Sequence, residues 1–105
     1  MPNSKIVFAL SLCRKAGALV MGFDAVKESV FKGKAVLVLC AGDVSDGTRR
    51  RVERTCEDMA EVVILPSTQA ELLQICKKPT GVFAVTDAQL AVLCKNSITI
   101  KEESL

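Results

Sequence analysis

Histidine, tryptophan and tyrosine are absent from this chain of 105 residues, and its aromatic side chains are four phenylalanines. Enzymes most often use histidine to exchange protons near neutral pH, so acid-base catalysis by that side chain is excluded. The sequence also has neither a GxSxG nucleophile elbow nor a GxGxxG or Walker-type phosphate loop. We therefore predict a protein that is not an enzyme and that needs no cofactor.

Cysteine is frequent, with five residues, but it occurs in no CxxC pair. A zinc site needs clustered sulfur or imidazole ligands, and an odd number of thiols cannot all form disulfides. Apolar runs such as VLVLC, LLQIC and LAVLC lead up to the thiols, as expected of small buried side chains in a reducing compartment. We therefore expect no bound metal and five free, buried cysteines: Cys13, Cys40, Cys56, Cys76 and Cys94.

Long hydrophobic runs are missing as well. No stretch reaches the roughly 18 apolar residues of a membrane-spanning helix. Ser11, Arg14 and Lys15 interrupt the N-terminal segment where a secretory signal would carry small residues. We expect a cytoplasmic protein with no membrane contact. The length and the 50% hydrophobic content predict a single domain over residues 1–105 with a core of its own.

The net charge of +2 is unevenly distributed along the chain. Residues 1–34 contain six lysines and arginines against two acidic residues, whereas residues 35–76 contain four against seven. A basic patch of this kind suits a nucleic-acid site, but it is equally ordinary on a solvated helix face. Charge alone therefore leaves both interpretations open.

Apolar segments predict strands, and periodic apolar residues between them predict helices. The strands are expected at residues 18–21, 35–41, 61–65 and 82–85, with 35–41 and 61–65 buried. Helices are expected before residue 17, between 22 and 33, around 52–59, around 68–76 and over 87–96. This alternation predicts an α/β fold, a three-layer α/β/α sandwich on a mostly parallel, four-stranded mixed sheet. Whether residues 96–105 add an edge strand or form a loose tail stays open.

Particular residues are expected to mark the helix boundaries. Gly17 and Gly33 should end the first two helices, and Asn96 the last. Thr68 and Glu71 have the spacing of a capping box, in which each side chain bonds the backbone N–H of the other.

Two polar segments have both a structural and a functional interpretation. Asp43, Ser45 and Asp46 in the loop AGDVSDG at 41–47 suit a metal or a phosphate, but they equally suit a turn and a helix cap, which we favour. In TRRRVER at 48–54, helical spacing places Arg49 four residues before Glu53. Ion pairs on a solvated face are therefore favoured there over contacts with RNA.

A third candidate is spread over three segments: GFDAVKESVFKG at 22–33, AGD at 41–43 and KKPTGV at 77–82. We expect them on the same side of the sheet, where the loops that follow or precede strands gather. The start of the second helix would direct free backbone N–H groups outward, where phosphates can be held. Phe23 is the one phenylalanine near this edge, so recognition of RNA shape is favoured over base stacking.

These segments, in this order and spacing, resemble the kink-turn RNA-binding ribosomal protein superfamily of the L-seven-Ae and L-thirty-e type, in particular its bacterial branch. The resemblance covers about residues 4–95 and includes RKAGALVMG at 14–22, KG at 32–33, AVLVLCAGDVS at 35–45, a threonine with basic residues at 48–51, a cysteine before acidic residues at 56–58 and VFAVTD at 82–87. It implies an α/β/α sandwich that binds sharply bent RNA without a cofactor. The implied partner is ribosomal RNA or another kink-turn RNA, with the ribosome included, and the chain is expected to be a monomer.

Carried over position by position, the resemblance implies an RNA-binding set on the second helix, the end of the central strand and the loop at 77–82. The set comprises Gly22, Phe23, Asp24, Ala25, Lys27, Glu28, Lys32, Gly42, Asp43, Lys77, Lys78, Thr80, Gly81 and Val82.

The chain departs from the family pattern at four of these positions. Asp24 and Ala25 stand where strong kink-turn binders have Asn and Glu, Glu28 stands where they have Lys, and Gly42 stands where an acid is usual. An aspartate accepts hydrogen bonds but donates none, and a carboxylate near phosphates repels them.

Three hypotheses for the function follow. The first is a small cytosolic RNA-binding protein that resembles ribosomal proteins and recognises structured RNA by shape, backbone and helix-start contacts. The second is a protein-interaction or regulatory module of the same fold that has lost kink-turn recognition. The third is an accessory domain that recognises the substrate of a separate RNA-modifying enzyme.

Overall fold

The computed structural model describes residues 4–76 and 80–103. Helices and strands alternate along these residues, with one short 3₁₀ turn before the last strand. In chain order they are α1 (Ser4–Lys15), β1 (Leu19–Met21), α2 (Phe23–Phe31), β2 (Leu37–Cys40), α3 (Asp46–Cys56), β3 (Glu61–Ile64), the 3₁₀ turn (Glu71–Gln74), β4 (Val82–Val85) and α4 (Ala88–Glu103). Within the same residues, no helix has the length and hydropathy needed to cross a membrane.

The four strands form one mixed sheet in the order β1-β4-β2-β3. Strand β2 pairs in parallel with β3, whereas β4 runs antiparallel to both of its neighbours, β1 and β2. The predicted four-stranded mixed sheet is confirmed, but the expectation of a mostly parallel sheet is wrong. The residues that follow β3 and those that precede β4 both meet the end of β2, because Gly42 N–H donates to Ser67 O and Ala41 N–H donates to Gly81 O. Strand β4 therefore starts at the end where β3 stops and runs back.

Helices cover both faces of the sheet, as the predicted sandwich requires. Side chains from α1, α4 and the 3₁₀ turn form one apolar cluster, and side chains from α2 and α3 form the other. Strand β4 contributes to both, because Phe83 and Val85 belong to the first cluster and Val82 and Ala84 to the second. This alternation is the two-residue period of a strand that is buried on both faces.

Glycine ends the first two helices as predicted. At Gly17, with φ of 71°, its N–H donates to Arg14 O and the next N–H donates to Cys13 O. The same two bonds form at Gly33, where φ is 74°. This Schellman arrangement satisfies the last helical carbonyls and needs a left-handed residue, which is why glycine occupies both positions.

Three expectations about the second half of the chain are wrong. Strand β3 lies at an edge of the sheet and is partly exposed, since Ile64 is 40% exposed. The helix expected at 68–76 is a 3₁₀ turn of four residues, although Thr68 and Glu71 form the predicted capping box. Helix α4 continues past Asn96 to Glu103, so residues 96–103 are neither an edge strand nor a loose tail.

The five cysteines are free and buried, as predicted. The Sγ atoms of Cys13 and Cys94 are 3.7 Å apart between α1 and α4. Burial raises the pKa of the Cys40 thiol to about 11, so this thiol stays protonated and unreactive at neutral pH.

Candidate nucleic-acid interface

The three segments named from the sequence meet at one end of the sheet through backbone hydrogen bonds. Gly22 N–H donates to Val82 O at 2.9 Å, and Ala41 N–H donates to Gly81 O at 2.8 Å. The start of α2, the end of β2 and the start of β4 are therefore held side by side. Lys77, Lys78 and Pro79 lie outside the described residues.

A cleft of about 420 Å³ opens where these segments meet. The RNA-binding set predicted from the sequence includes five residues of its lining: Gly22, Phe23, Thr80, Gly81 and Val82. Ser45 and Thr48 belong to other segments considered from the sequence, and Val44 and Gln69 were not predicted. The cleft is lined by Gly22, Phe23, Val44, Ser45, Thr48, Gln69, Thr80, Gly81 and Val82. Ser45 and Thr48 lie at the start of α3, whereas Val44 and Gln69 lie on loops. The approach of these loops depends on the direction of β4 and on the 3₁₀ turn, which sequence periodicity does not specify.

Helix α2 begins at the cleft with an open N-terminus. Its N-cap residue Gly22 has φ of 95° and ψ of 145°, a conformation that only glycine adopts readily, and no side chain caps the helix. The next residues, Asp24 and Ala25, are exposed. The first backbone N–H groups of a helix carry partial positive charge, so this start suits an anion such as phosphate.

The loop after β2 is clamped against the segment that follows β3. Gly42 N–H donates to Ser67 O at 2.8 Å, and Gln69 N–H donates to the Asp43 carboxylate at 3.0 Å. A Cβ at Gly42 would lie 2.7 Å from Leu65 O. Backbone packing therefore leaves no room for a side chain where the family pattern has an acid, and Asp43 holds the loop rather than facing outward unpaired.

Arg14, from the segment RKAG, ties α1 to the chain that leads toward residues 77–82. Its Nη1 donates to Ile75 O at 2.6 Å. Ile75 is itself buried, with 1% exposure. This contact holds the chain at Ile75, two positions before the basic pair.

Three further residues of the predicted set, Ala25, Glu28 and Lys32, line a second depression. A groove of about 800 Å³ is lined by Gly17, Val20, Ala25, Glu28, Ser29, Lys32, Gly33, Lys34, Val36 and Thr86. Lys32 Nζ donates to Glu28 Oε1 at 2.5 Å. This hydrogen bond lowers the pKa of the Glu28 carboxyl, so Glu28 is ionised at neutral pH and cancels the charge of Lys32. Outside the groove, Lys27 Nζ lies 5.8 Å from the Phe31 ring centre.

The structure supports the cap interpretation of the loop at 41–47 but only part of the ion-pair interpretation of residues 48–54. Ser45 is the N-cap of α3 and accepts a hydrogen bond from Thr48 N–H at 3.1 Å, as the cap interpretation predicts. Arg49 pairs with Asp46 at 3.5 Å rather than with Glu53. Arg54 lies three and four residues before Glu57 and Asp58, but among the side chains of residues 5–76 and 80–98 no carboxylate is within 4.0 Å of it. The predicted lacing of ion pairs along α3 is therefore reduced to one pair.

Arg51 makes the contact that sequence reasoning missed entirely. Its guanidinium carbon lies 4.4 Å from the centre of the Phe23 ring, within the range of a cation–π interaction. The two residues are on different helices, so no local spacing pattern relates them. The packing of α2 against α3 in the second apolar cluster brings them together.

The described residues contain no cluster of side chains that could bind a metal ion. Across the described side chains, those of residues 5–76 and 80–98, no three His, Cys, Asp or Glu groups are close enough to hold an ion together. The absence of a bound metal stays a prediction.

Gly81 provides a test of how tightly the cleft is packed. A Cβ there would overlap Cγ1 of Val44 and would lie 3.3 Å from the Gln69 amide carbon. We expect Gly81→Ala to lower the free energy of unfolding by about 1 to 3 kcal/mol, measured by urea denaturation. Adding Val44→Ala should recover most of the loss, because it removes the overlapping methyl. An equal loss with and without Val44→Ala would show that the strain lies in the backbone instead.

The fold and this cleft define a class of small α/β/α sandwich proteins, and the sequence places the chain within it. Residues 4–97 match the model of the Ribosomal protein L7Ae/L30e/S12e/Gadd45 family. The chain belongs to this family, which confirms the resemblance stated from the sequence.

One named relative is similar to the chain in sequence, and two solved structures share its fold. The chain is 28% identical over 100 residues to the RNA-binding protein YlxQ of Enterococcus faecium, covering 91% of this chain and 93% of that protein. A protein with unknown function from Bacillus halodurans C shares the fold, with TM-score 0.83 and 23% identity over 91% of this chain and 98% of the other. The 15.5kD RNA binding protein of Giardia lamblia shares it with TM-score 0.73 and 20% identity over 99% and 90% of the two chains.

Proposed function

We propose that this protein is a small, non-catalytic, cytoplasmic protein that binds sharply bent, kink-turn-like RNA at the cleft, as a monomer on ribosomal or another structured RNA. The main support is the convergence of the start of α2, the end of β2 and the start of β4 around one cleft. Membership of the family and the similarity to the RNA-binding protein YlxQ support RNA as the partner.

The chemistry of the cleft suits a nucleic-acid backbone. The uncapped start of α2 offers backbone N–H groups to a phosphate, and Ser45 and Thr48 add hydroxyl groups beside it. One phenylalanine, Phe23, lines the cleft, which is too little for a platform of stacked bases. Contacts to backbone and groove shape therefore dominate the proposed interaction.

One observation favours a protein-interaction module as the second candidate. Glu28 neutralises Lys32 on the exposed face of α2, and Asp24 adds a further negative charge at the helix start. This face attracts RNA phosphates less than a basic helix would.

Titration of labelled RNA separates the two candidates. The protein is added at fixed salt to a kink-turn RNA and to the same strands with the kink replaced by continuous duplex. We expect tighter binding to the kink-turn. Equal binding to both would contradict kink-turn recognition, and binding to neither, nor to total ribosomal RNA, would favour the protein-interaction module.

The basic pair Lys77 and Lys78, which the sequence predicts to bind RNA, gives a second test of the same proposal. Replacing both with alanine should weaken binding to all RNAs alike, because phosphate contacts position an RNA without reading its bases. Each lost contact should lower the magnitude of the log–log salt slope by about 0.7 to 0.9. The measurement is affinity at several salt concentrations. An unchanged slope would remove these lysines from the interface.

A further inference from the structure

Arg51 is held at the edge of the cleft by an aromatic ring. Phe23, the first residue of α2, lines the cleft, and the Arg51 guanidinium carbon lies 4.4 Å from the centre of its ring. A guanidinium that lies over an aromatic face keeps its N–H groups, which project from its edges, available to other partners. The ring therefore fixes the position of a positive charge without consuming its hydrogen bonds.

The donors of Arg51 are unused by the described residues. Among the side chains of residues 5–76 and 80–98, no carboxylate lies within 4.0 Å of this guanidinium. Arg51 is exposed to solvent. A fixed, exposed guanidinium with free donors is suited to bidentate binding of a phosphate, which matches its geometry better than a lysine ammonium would.

Arg51 lies on the side of α3 that borders the cleft. Thr48, which lines the cleft, lies three residues before Arg51 and so on the same side of the helix. Helices α2 and α3 both begin at this cleft, since Gly22 at the start of α2 and Ser45 at the start of α3 line it. The charge of Arg51 thus adds to a region that two helix ends already make attractive to anions.

We propose that Arg51 binds a phosphate of the RNA at the edge of the cleft and that Phe23 is the positioning residue that holds its guanidinium in place. This inference rests on the proposed function and adds α3 to the interface, where the sequence had favoured a solvated face. The neighbouring arginines are placed differently. Arg49 is paired with Asp46, and Arg50 has no aromatic contact among the described residues.

Arg50 supplies the matched control, because Arg50→Gln and Arg51→Gln remove the same charge from adjacent residues of one helix. Affinity for the kink-turn RNA is measured for both variants at several salt concentrations, with circular dichroism to verify folding. We expect Arg51→Gln to weaken binding about five- to tenfold and to reduce the salt slope by about 0.7 to 0.9, as the loss of one charge-assisted phosphate contact does. Arg50→Gln should change affinity less than about twofold, through the net charge alone.

The role of Phe23 is tested by a double-mutant cycle with Phe23→Leu, which keeps an apolar side chain but removes the ring. If the ring positions Arg51, the effect of Arg51→Gln should shrink in the Phe23→Leu background. Equal, additive effects would overturn the positioning role.

The outcomes also separate this inference from the proposed function. Wild-type binding with equal losses in Arg50→Gln and Arg51→Gln would overturn the phosphate contact and leave RNA binding standing. Absence of wild-type binding to any RNA tested would overturn both.

Discussion

Replacing Phe83 with alanine is expected to lower the free energy of unfolding by about 3 to 5 kcal/mol, because it removes a buried ring and leaves a cavity. Phe83 lies on the central strand β4, opposite Met21 of β1 and Leu39 of β2, and is 0% exposed. Domains of this size are stable by about 5 to 15 kcal/mol, so the loss is a large share of the total. Urea denaturation followed by circular dichroism measures it.

Phe8 supplies the matched control, since it is the same residue type at 64% exposure on α1. We expect Phe8→Ala to change the free energy of unfolding by no more than about 0.5 kcal/mol. If Phe83→Ala does not fold, Phe83→Leu keeps part of the buried volume and should show an intermediate loss. Similar losses for Phe8→Ala and Phe83→Ala would contradict the assignment of Phe83 to the core.

Local chemistry explains the parts of the fold that the sequence predicts well. Gly17 and Gly33 end helices because the backbone there requires positive φ, a requirement that a sequence displays directly. The short apolar runs at β2 and β4 are buried on both faces, and such runs have few alternatives to a central strand.

Tertiary contacts explain the parts that it predicts badly. The segment SITIKEE has β-branched residues that favour a strand, yet it extends α4 because Ile98 packs against the cluster shared by α1 and α4. The direction of β4 depends on a chain reversal between residues 65 and 81, whose described residues contain a 3₁₀ turn and no longer helix. Neither contact is visible in local periodicity.

The candidate site divides in the same way. The sequence predicts Gly22 and Gly81 as site residues because they belong to segments whose order and spacing along the chain resemble the family. Both line the cleft in the structure. Val44 and Gln69 were missed because they reach the cleft through loops that are positioned by the sheet. Arg51 was set aside because a run of arginines on a helix usually pairs with nearby acids, whereas here the packing of two helices gives it an aromatic partner.

Restoring the family pattern on α2 with Asp24→Asn, Ala25→Glu and Glu28→Lys is expected to raise affinity for a kink-turn RNA at least about tenfold, since each good base contact contributes about 1 to 3 kcal/mol. The three residues are exposed, so the changes disturb no core packing. Asn regains an amide donor for a base edge, and Glu regains an acceptor for guanine amino groups. Lys at position 28 removes the carboxylate that now pairs with Lys32 at 2.5 Å, so that two cations face the phosphates in place of a neutral pair.

A general increase in positive charge would also strengthen RNA binding, so the triple variant needs a charge-matched control. Asp58→Lys makes the same change of two charge units as Glu28→Lys, at an exposed residue just beyond the end of α3 that lies away from the cleft. We expect it to strengthen binding to kinked and continuous RNA equally and only slightly, because screening limits distant charges. The triple variant should instead favour the kinked RNA, in a titration at fixed salt with circular dichroism to verify folding.

Two outcomes would contradict this expectation. If the wild-type protein binds tightly and the triple change weakens binding, Asp24 and Ala25 recognise RNA by another arrangement of donors and acceptors. If neither protein binds, α2 has lost this role and the protein-interaction module becomes the better explanation of its acidic surface.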